Sequence, residues 1–215
     1  MQVIYLIRHG ETDFNRDGRI QGYTESSLSD LGVEQARRVG ERLRGLGISH
    51  AYASPLRRAA DTCRIALDGS VAWETREGLR EVHLGVWEGE KASALKQRYP
   101  EDVKLWFERP SAVRIEGAET IRAFRARVTR TMDAIRAERP EGVIAVFAHG
   151  GVICTYLTRL LGMKLDDIWR FKIRNGSITR VLFPDDRARV DLLGDVAHLD
   201  GAIREVARPG FRLFP

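Results

Sequence analysis

The amino-acid sequence predicts an α/β protein, a three-layer α/β/α fold with a mainly parallel central sheet. Three observations carry that expectation. Short apolar runs of strand composition alternate along the chain with stretches of helical periodicity. The two strongest runs, Val3-Ile4-Tyr5-Leu6-Ile7 and Gly142-Val143-Ile144-Ala145-Val146-Phe147-Ala148, read as buried strands. Each stops abruptly, at Arg8-His9-Gly10 and at His149-Gly150-Gly151. In open α/β sheets, ligands bind just beyond the carboxyl ends of strands.

The elements follow in order. After the first strand, Gly10 lets the backbone turn sharply. Asp13 to Ser27 is polar and contains glycine, so it reads as a loop, long enough to suggest function. A helix then starts with Ser29 as N-cap and Leu28 placed to staple against Val33. Ala36, Val39, Leu43 and Leu46 form its apolar face, and Gly45 and Gly47 end it. Ile48 to Ala53 is a short strand. Ser54-Pro55 leads into a helix running to about Leu67, with the proline in its first turn. Val71 to Glu74 is a further strand, and Leu79 to Glu90 is loop-like.

Lys91 to Tyr99 and Glu101 to Phe107 read as two short helices split by Pro100. Ser111 to Gly117 connects them to a long amphipathic helix, Ala118 to Arg139, stopped by Pro140. A helix reaching about Leu161 follows His149-Gly150-Gly151. Ile178 to Phe183 and Arg189 to Leu193 suit a closing hairpin with Pro184-Asp185-Asp186 as its turn, and the tail after Gly194 is expected to lie over the body. The length of 215 residues, with no internal repeat or low-complexity linker, suits a single domain over 1–215, with about 90–117 as a small helical cap.

Composition excludes several classes. No apolar run is long enough to span a bilayer, and no signal segment opens the chain, so a cytoplasmic protein without membrane partners is expected. The net charge is +5, almost all of it from arginine, but the arginines are spread among acids rather than clustered. That pattern describes an ion-paired surface, not a nucleic-acid footprint. A few arginines converging on one pocket would instead suit a small anion. Cys63 and Cys154 lie in predicted helices without CxxC spacing and read as buried free thiols.

The chemistry concentrates at the two His-Gly strand ends. If those strands are neighbours, His9 and His149 come together at the carboxyl edge of the sheet. His149-Gly150-Gly151 also opens a helix, whose free amides and dipole favour an anion. Arg8 lies beside His9, and Arg58 lies one turn into the helix after Ser54-Pro55. Two histidines, two arginines and a helix N-terminus suit a tetrahedral dianion such as a phosphoryl group.

Four motifs carry a resemblance that covers nearly the whole chain. Leu6-Ile7-Arg8-His9-Gly10-Glu11-Thr12 with Asn15 resembles the signature of the histidine phosphatase superfamily, the phosphoglycerate mutase-like proteins. Ser54-Pro55-Leu56-Arg57-Arg58-Ala59 with Thr62 resembles the segment supplying a second phosphate-binding arginine. Leu79-Arg80-Glu81 with Gly85-Val86-Trp87-Glu88-Gly89 resembles the proton-donor segment, and Ala148-His149-Gly150-Gly151 the second-histidine motif. Gln21-Gly22 through Leu28-Ser29 and Gly32 also looks like the family's loop and second-helix start.

The resemblance implies a role for each position. His9 is the nucleophile and becomes phosphohistidine. It attacks as neutral imidazole, favoured by neighbouring cations. Arg8, Arg58 and His149 hold the phosphoryl oxygens, and Asn15, Gln21, Gly22 and Gly150 complete the phosphate site. Arg57 is the alternative to Arg58. Glu81 protonates the leaving oxygen and then activates water, which asks for a raised pKa, with Glu88 and Glu11 as substitutes. No metal and no cofactor is implied. His83 and His198 carry no assigned role, and Trp106, Phe107 and Trp169 are expected to pack.

The branch of the family is read from departures. The mutases' longer, arginine-rich insertion after the proton-donor segment is missing, and Gln21-Gly22 stands where mutases have Thr-Gly. The compact form resembles the phosphatases. Leu84 stands where a phosphoserine-phosphatase branch has histidine, which weakens that substrate; Ala118 replaces a glycine in Ile115-Glu116-Gly117-Ala118-Glu119-Thr120. The expected protein is a phosphomonoester hydrolase of a small phosphorylated metabolite. A cofactor-dependent phosphoglycerate mutase and a non-catalytic phospholigand-binding member are the alternatives, and a homodimer is left open.

Overall fold

A computed structural model describes residues 1–185 and 187–199. Asp186 of the expected hairpin turn, and the tail beyond 199, lie outside the described residues. One six-stranded sheet organises the chain. Its strands are β1 (Gln2–Arg8), β2 (Ile48–Ala53), β3 (Trp73–Thr75), β4 (Gly142–Ala148), β5 (Ile178–Phe183) and β6 (Arg189–Asp195), in the order β3-β2-β4-β1-β5-β6. β3, β2, β4 and β1 pair in parallel, and β5 runs antiparallel to β1 and β6. The sheet is therefore mainly parallel, as expected.

Side chains alternate across the buried strands. Tyr5 and Ile7 of β1, Ala145 and Phe147 of β4, and Ala51 and Ala53 of β2 face one core. Helices α2 (Asp30–Leu43) and α3 (Arg57–Leu67) close it with Val39, Leu43, Cys63 and Leu67. Ile4, Leu6, Ile144, Val146 and Tyr52 face the other core. There α6 (Ile121–Glu138) supplies Phe124, Val128, Met132 and Ile135, and α7 (Gly150–Leu160) supplies Val152, Ile153, Tyr156 and Leu157. Both strands can be apolar throughout because both sheet faces are covered. These are the three layers.

Short helices complete the chain: α1 (Asp13–Asp17), α4 (Ala92–Arg98) and α5 (Pro100–Glu108). Pro100 opens α5 at its first turn, where its missing N–H costs nothing. Leu95 and Val103 anchor this pair to the core, and Trp106 packs on Trp169 at 5.4 Å while accepting a hydrogen bond from its Nε1 at 2.7 Å. Cys63 and Cys154 are buried free thiols.

Several expectations need correction. The 13–27 stretch begins with a helical turn: Thr12 caps α1 through the Asn15 amide, and the Asn15 side chain returns to the Thr12 N–H. Asparagine closes the box where glutamate or glutamine is usual. α3 starts at Arg57, because the Ser54 hydroxyl accepts the Leu56 N–H and turns the chain first. α6 starts at Ile121 behind an N-cap at Thr120, and β3 is shifted to Trp73–Thr75. Gly10 does not take a positive φ; it is needed because a Cβ there would lie 2.4 Å from the Gly32 carbonyl oxygen.

Candidate active site

β1 and β4 are neighbours in register, with Arg8 opposite Ala148, so the residues that follow leave the same sheet edge side by side. The His9 and His149 rings meet edge to face, with centroids 5.2 Å apart. Both are buried, His9 3% exposed and His149 0%. His9 Nδ1 lies 2.7 Å from the Gly10 carbonyl oxygen. A carbonyl only accepts, so Nδ1 carries the proton and Nε2 keeps its lone pair. His149 Nε2 lies 2.8 Å from the Ser54 hydroxyl, whose oxygen already accepts the Leu56 N–H. The two side chains thus share one hydrogen bond, whose donor is set by the tautomer of the ring.

The cations surround this pair. Arg58 is 1% exposed and stays in place through two backbone carbonyls: Nη1 donates to Thr24 at 3.0 Å and Nη2 to Gly22 at 2.7 Å. Arg8 Nη1 donates to the Ile173 carbonyl at 2.6 Å. Three buried nitrogens here, Arg8 Nε, Arg58 Nε and His149 Nδ1, have no hydrogen-bond partner. Unpartnered buried polar atoms gathered at one place are costly unless a ligand satisfies them. Arg57, by contrast, is exposed and pairs with Asp61.

Burial, and then the charges of Arg58 and Arg8, hold the His9 imidazole well below the usual histidine range; the Gly10 bond opposes them. His149 is lowered in the same way, by burial and then by Arg58, His9 and Arg8. Both rings are neutral at pH 7. Burial also pushes the Arg58 guanidinium down to about 10, still charged at neutral pH.

Glu81 reaches the site across the start of α7. Its Oε2 accepts the Gly151 N–H at 3.0 Å, and its Oε1 accepts the Val82 N–H at 2.9 Å. A side chain at 151 would collide, since a Cβ would lie 2.4 Å from Oε1. One of the α7 amides expected to face an anion is thus engaged by Glu81 instead. At Gly150 a Cβ would lie 3.6 Å from the Arg8 guanidinium carbon.

The remaining residues mostly hold the loops. Asn15 Oδ1 accepts from the Thr12 N–H at 3.2 Å and from Asn175 at 3.1 Å, which leaves its amide N–H₂ as the free donor group. Gln21 Oε1 accepts from the hydroxyls of Thr12 and Ser26. Gly22 contributes the carbonyl that orients Arg58. Glu88 accepts the N–H groups of Tyr23, Thr24 and Leu84, and Glu11 accepts from Ser29, so both are occupied as structural acceptors. The His83 ring meets Tyr23 edge to face with centroids 4.8 Å apart, and His198 bonds the Gly176 carbonyl.

Two residues escaped the sequence reading. Asn175 Nδ2 donates to the carbonyls of His9 and Gly10 at 3.1 and 3.2 Å. Ser54 was legible only as a strand end. A Ser-Pro at a strand's carboxyl edge is a faint cue for it; Asn175-Gly176 reads as an ordinary turn.

The fold and this site define a phosphoryl-handling α/β protein, and the comparisons agree. The family model of the histidine phosphatase superfamily (branch 1) matches residues 4–196. The chain belongs to that superfamily. A "Probable phosphoglycerate mutase GpmB" of Erwinia tasmaniensis is 33% identical over 217 residues, covering 97% of this chain and 100% of the relative. The solved structure of YhfR from Bacillus stearothermophilus superposes with a TM-score of 0.88 at 28% identity, covering 92% of this chain and 99% of that one. A mycobacterial glucosyl-3-phosphoglycerate phosphatase in complex with VO3 gives 0.85 at 27% identity, covering 91% and 100%. Among the described residues no helix is long and apolar enough to cross a membrane.

Proposed function

We propose that the chain is a metal-independent phosphomonoester hydrolase that works through a phosphohistidine on His9 and acts on a small phosphorylated metabolite. One observation carries the reading: a neutral, buried His9 lies beside three buried nitrogens without partners, Arg8 Nε, Arg58 Nε and His149 Nδ1. Two guanidinium groups and an imidazole nitrogen suit the oxygens of a phosphoryl group and the charge that spreads over them in transfer.

In the first step His9 Nε2 attacks phosphorus. The N–P bond forms as the ester P–O bond breaks, and the Glu81 carboxyl gives its proton to the departing oxygen. Water then attacks the phosphohistidine. The new O–P bond forms, the N–P electron pair returns to Nε2, and the Glu81 carboxylate takes the water proton. Asn15 and Gly150 line the phosphate site; Gln21 and Gly22 act through the loop that orients Arg58. The same reading takes 1–215 as one catalytic domain capped by 90–117, in the cytoplasm, where buried free thiols such as Cys63 and Cys154 persist.

The purified protein is expected to hydrolyse p-nitrophenyl phosphate in the presence of chelator. His9→Ala is expected to abolish turnover. Retained activity in His9→Ala, or activity lost to chelator, overturns the reading. The name of the Erwinia relative supports a second reading, phosphoglycerate mutase. Given 3-phosphoglycerate and 2,3-bisphosphoglycerate, a mutase makes 2-phosphoglycerate with little free phosphate; the proposed hydrolase releases phosphate.

A further inference from the structure

Glu81 stands on a segment without regular secondary structure, between the helical turns at Glu77–Leu79 and Gly85–Trp87. Such a stretch does not by itself hold a carboxyl with the precision that proton transfer needs. One ion pair ties it down. Arg127, on α6, directs Nη1 to the carbonyls of Gly78 at 3.0 Å and Arg80 at 2.9 Å, and Nη2 to the carbonyl of Glu81 itself at 3.1 Å. Its Nη2 and Nε also pair with the Glu119 carboxylate. Glu119 Oε1 accepts the His83 N–H at 3.0 Å, and the Glu119 N–H donates to the His83 carbonyl at 3.1 Å.

The backbone on both sides of Glu81 is thus gripped by Arg127 and Glu119, each 19% exposed. The Phe124 and Tyr23 rings lie against the guanidinium, at 5.0 and 5.9 Å from its carbon. Three carbonyls and a carboxylate around one head group need the planar fork of arginine; a lysine ammonium has three donors and no fixed plane.

We propose that Arg127, braced by Glu119, is a positioning residue for the proton donor, setting the aim of the Glu81 carboxyl at the leaving oxygen. This rests on the reading of Glu81 as that donor. A residue that merely stabilised the fold would lower activity on all substrates alike. A residue that aims the acid matters most where the leaving group cannot depart without a proton.

The test compares kcat/KM for p-nitrophenyl phosphate, whose phenolate leaves unprotonated, with that for glycerol 2-phosphate, whose alkoxide does not. kcat/KM reports the first transfer, in which the leaving group departs. In E81Q the ratio of the two values is expected to rise by about 100-fold, the usual scale of acid catalysis. In R127M and R127K it is expected to rise by about tenfold, and in E119Q in the same direction. R127K keeps the charge, so it reports even where R127M does not fold. A raised ratio in E81Q with an unchanged ratio in R127K overturns the positioning role alone. An unchanged ratio in E81Q removes Glu81 as the donor and the inference with it, as does a wild-type protein inert on both esters.

Discussion

The Ser54 hydroxyl lies 2.8 Å from His149 Nε2, a hydrogen bond that holds a fully buried imidazole in place. It leaves Nδ1 as the ring nitrogen without a partner. Ser54→Ala removes the hydroxyl without touching the ring. It is expected to lower kcat/KM by about tenfold, the worth of one hydrogen bond, and to weaken inhibition by inorganic phosphate similarly. Wild-type inhibition in the variant would show that the placement of the ring does not depend on Ser54.

The two depressed histidines link stability to pH. In the unfolded chain each titrates near 6.5; in the fold both stay neutral well below that. Below pH 6.5 the unfolded state therefore binds more protons, and stability falls as pH falls. It is fully present above 6.5 and declines by about 1.4 kcal/mol per pH unit for each histidine. Urea unfolding between pH 7.5 and 5.5 measures the slope. His149→Asn is expected to make it shallower by one histidine's share, and an unaltered slope would contradict this account.

Arg57 and Arg58 are adjacent, yet one faces solvent and the other the site. Arg57→Ala is expected to leave kcat/KM within about twofold, since it removes only an exposed ion pair. Arg58→Ala is expected to cost about 10³-fold, by loss of a phosphoryl donor and of the group that bonds the Gly22 and Thr24 carbonyls. Steady-state kinetics on both variants separates the two; a large loss in Arg57→Ala would reassign the clamp.

The start of α2 presses on the loop after His9. At Gly32 a Cβ would lie 1.9 Å from the Glu11 carbonyl oxygen, a backbone atom that cannot swing aside. Gly32→Ala is expected to destabilise by about 3 kcal/mol, lowering Tm by about 10 °C. Calorimetry checks it, and an unchanged Tm would mean that the loop has room to move.

The sheet and its pair of histidines were legible because both depend on local signals: apolar runs that end in His-Gly. Arg58 was preferred to Arg57 on the family resemblance of the Ser54-to-Ala59 segment. Asn175 and Arg127 were not legible, because nothing near either residue announces its partner. Asn175 reaches His9 only once β5 has paired with β1, and Arg127 reaches the 78–81 carbonyls only once α6 lies against that segment. Such long-range placement follows from strand order and helix packing. Helix α1 was missed for a local reason, an asparagine in the place where a capping box usually shows glutamate.

Asn175 joins the carbonyls of His9 and Gly10 from 166 and 165 positions away in the chain. During translation Asn175 is made 166 residues after His9. No nascent chain that ends before residue 175 can hold His9 as the finished protein does. The ribosome therefore delivers His9 well before its setting, and the turn around it is completed only from a distant part of the message.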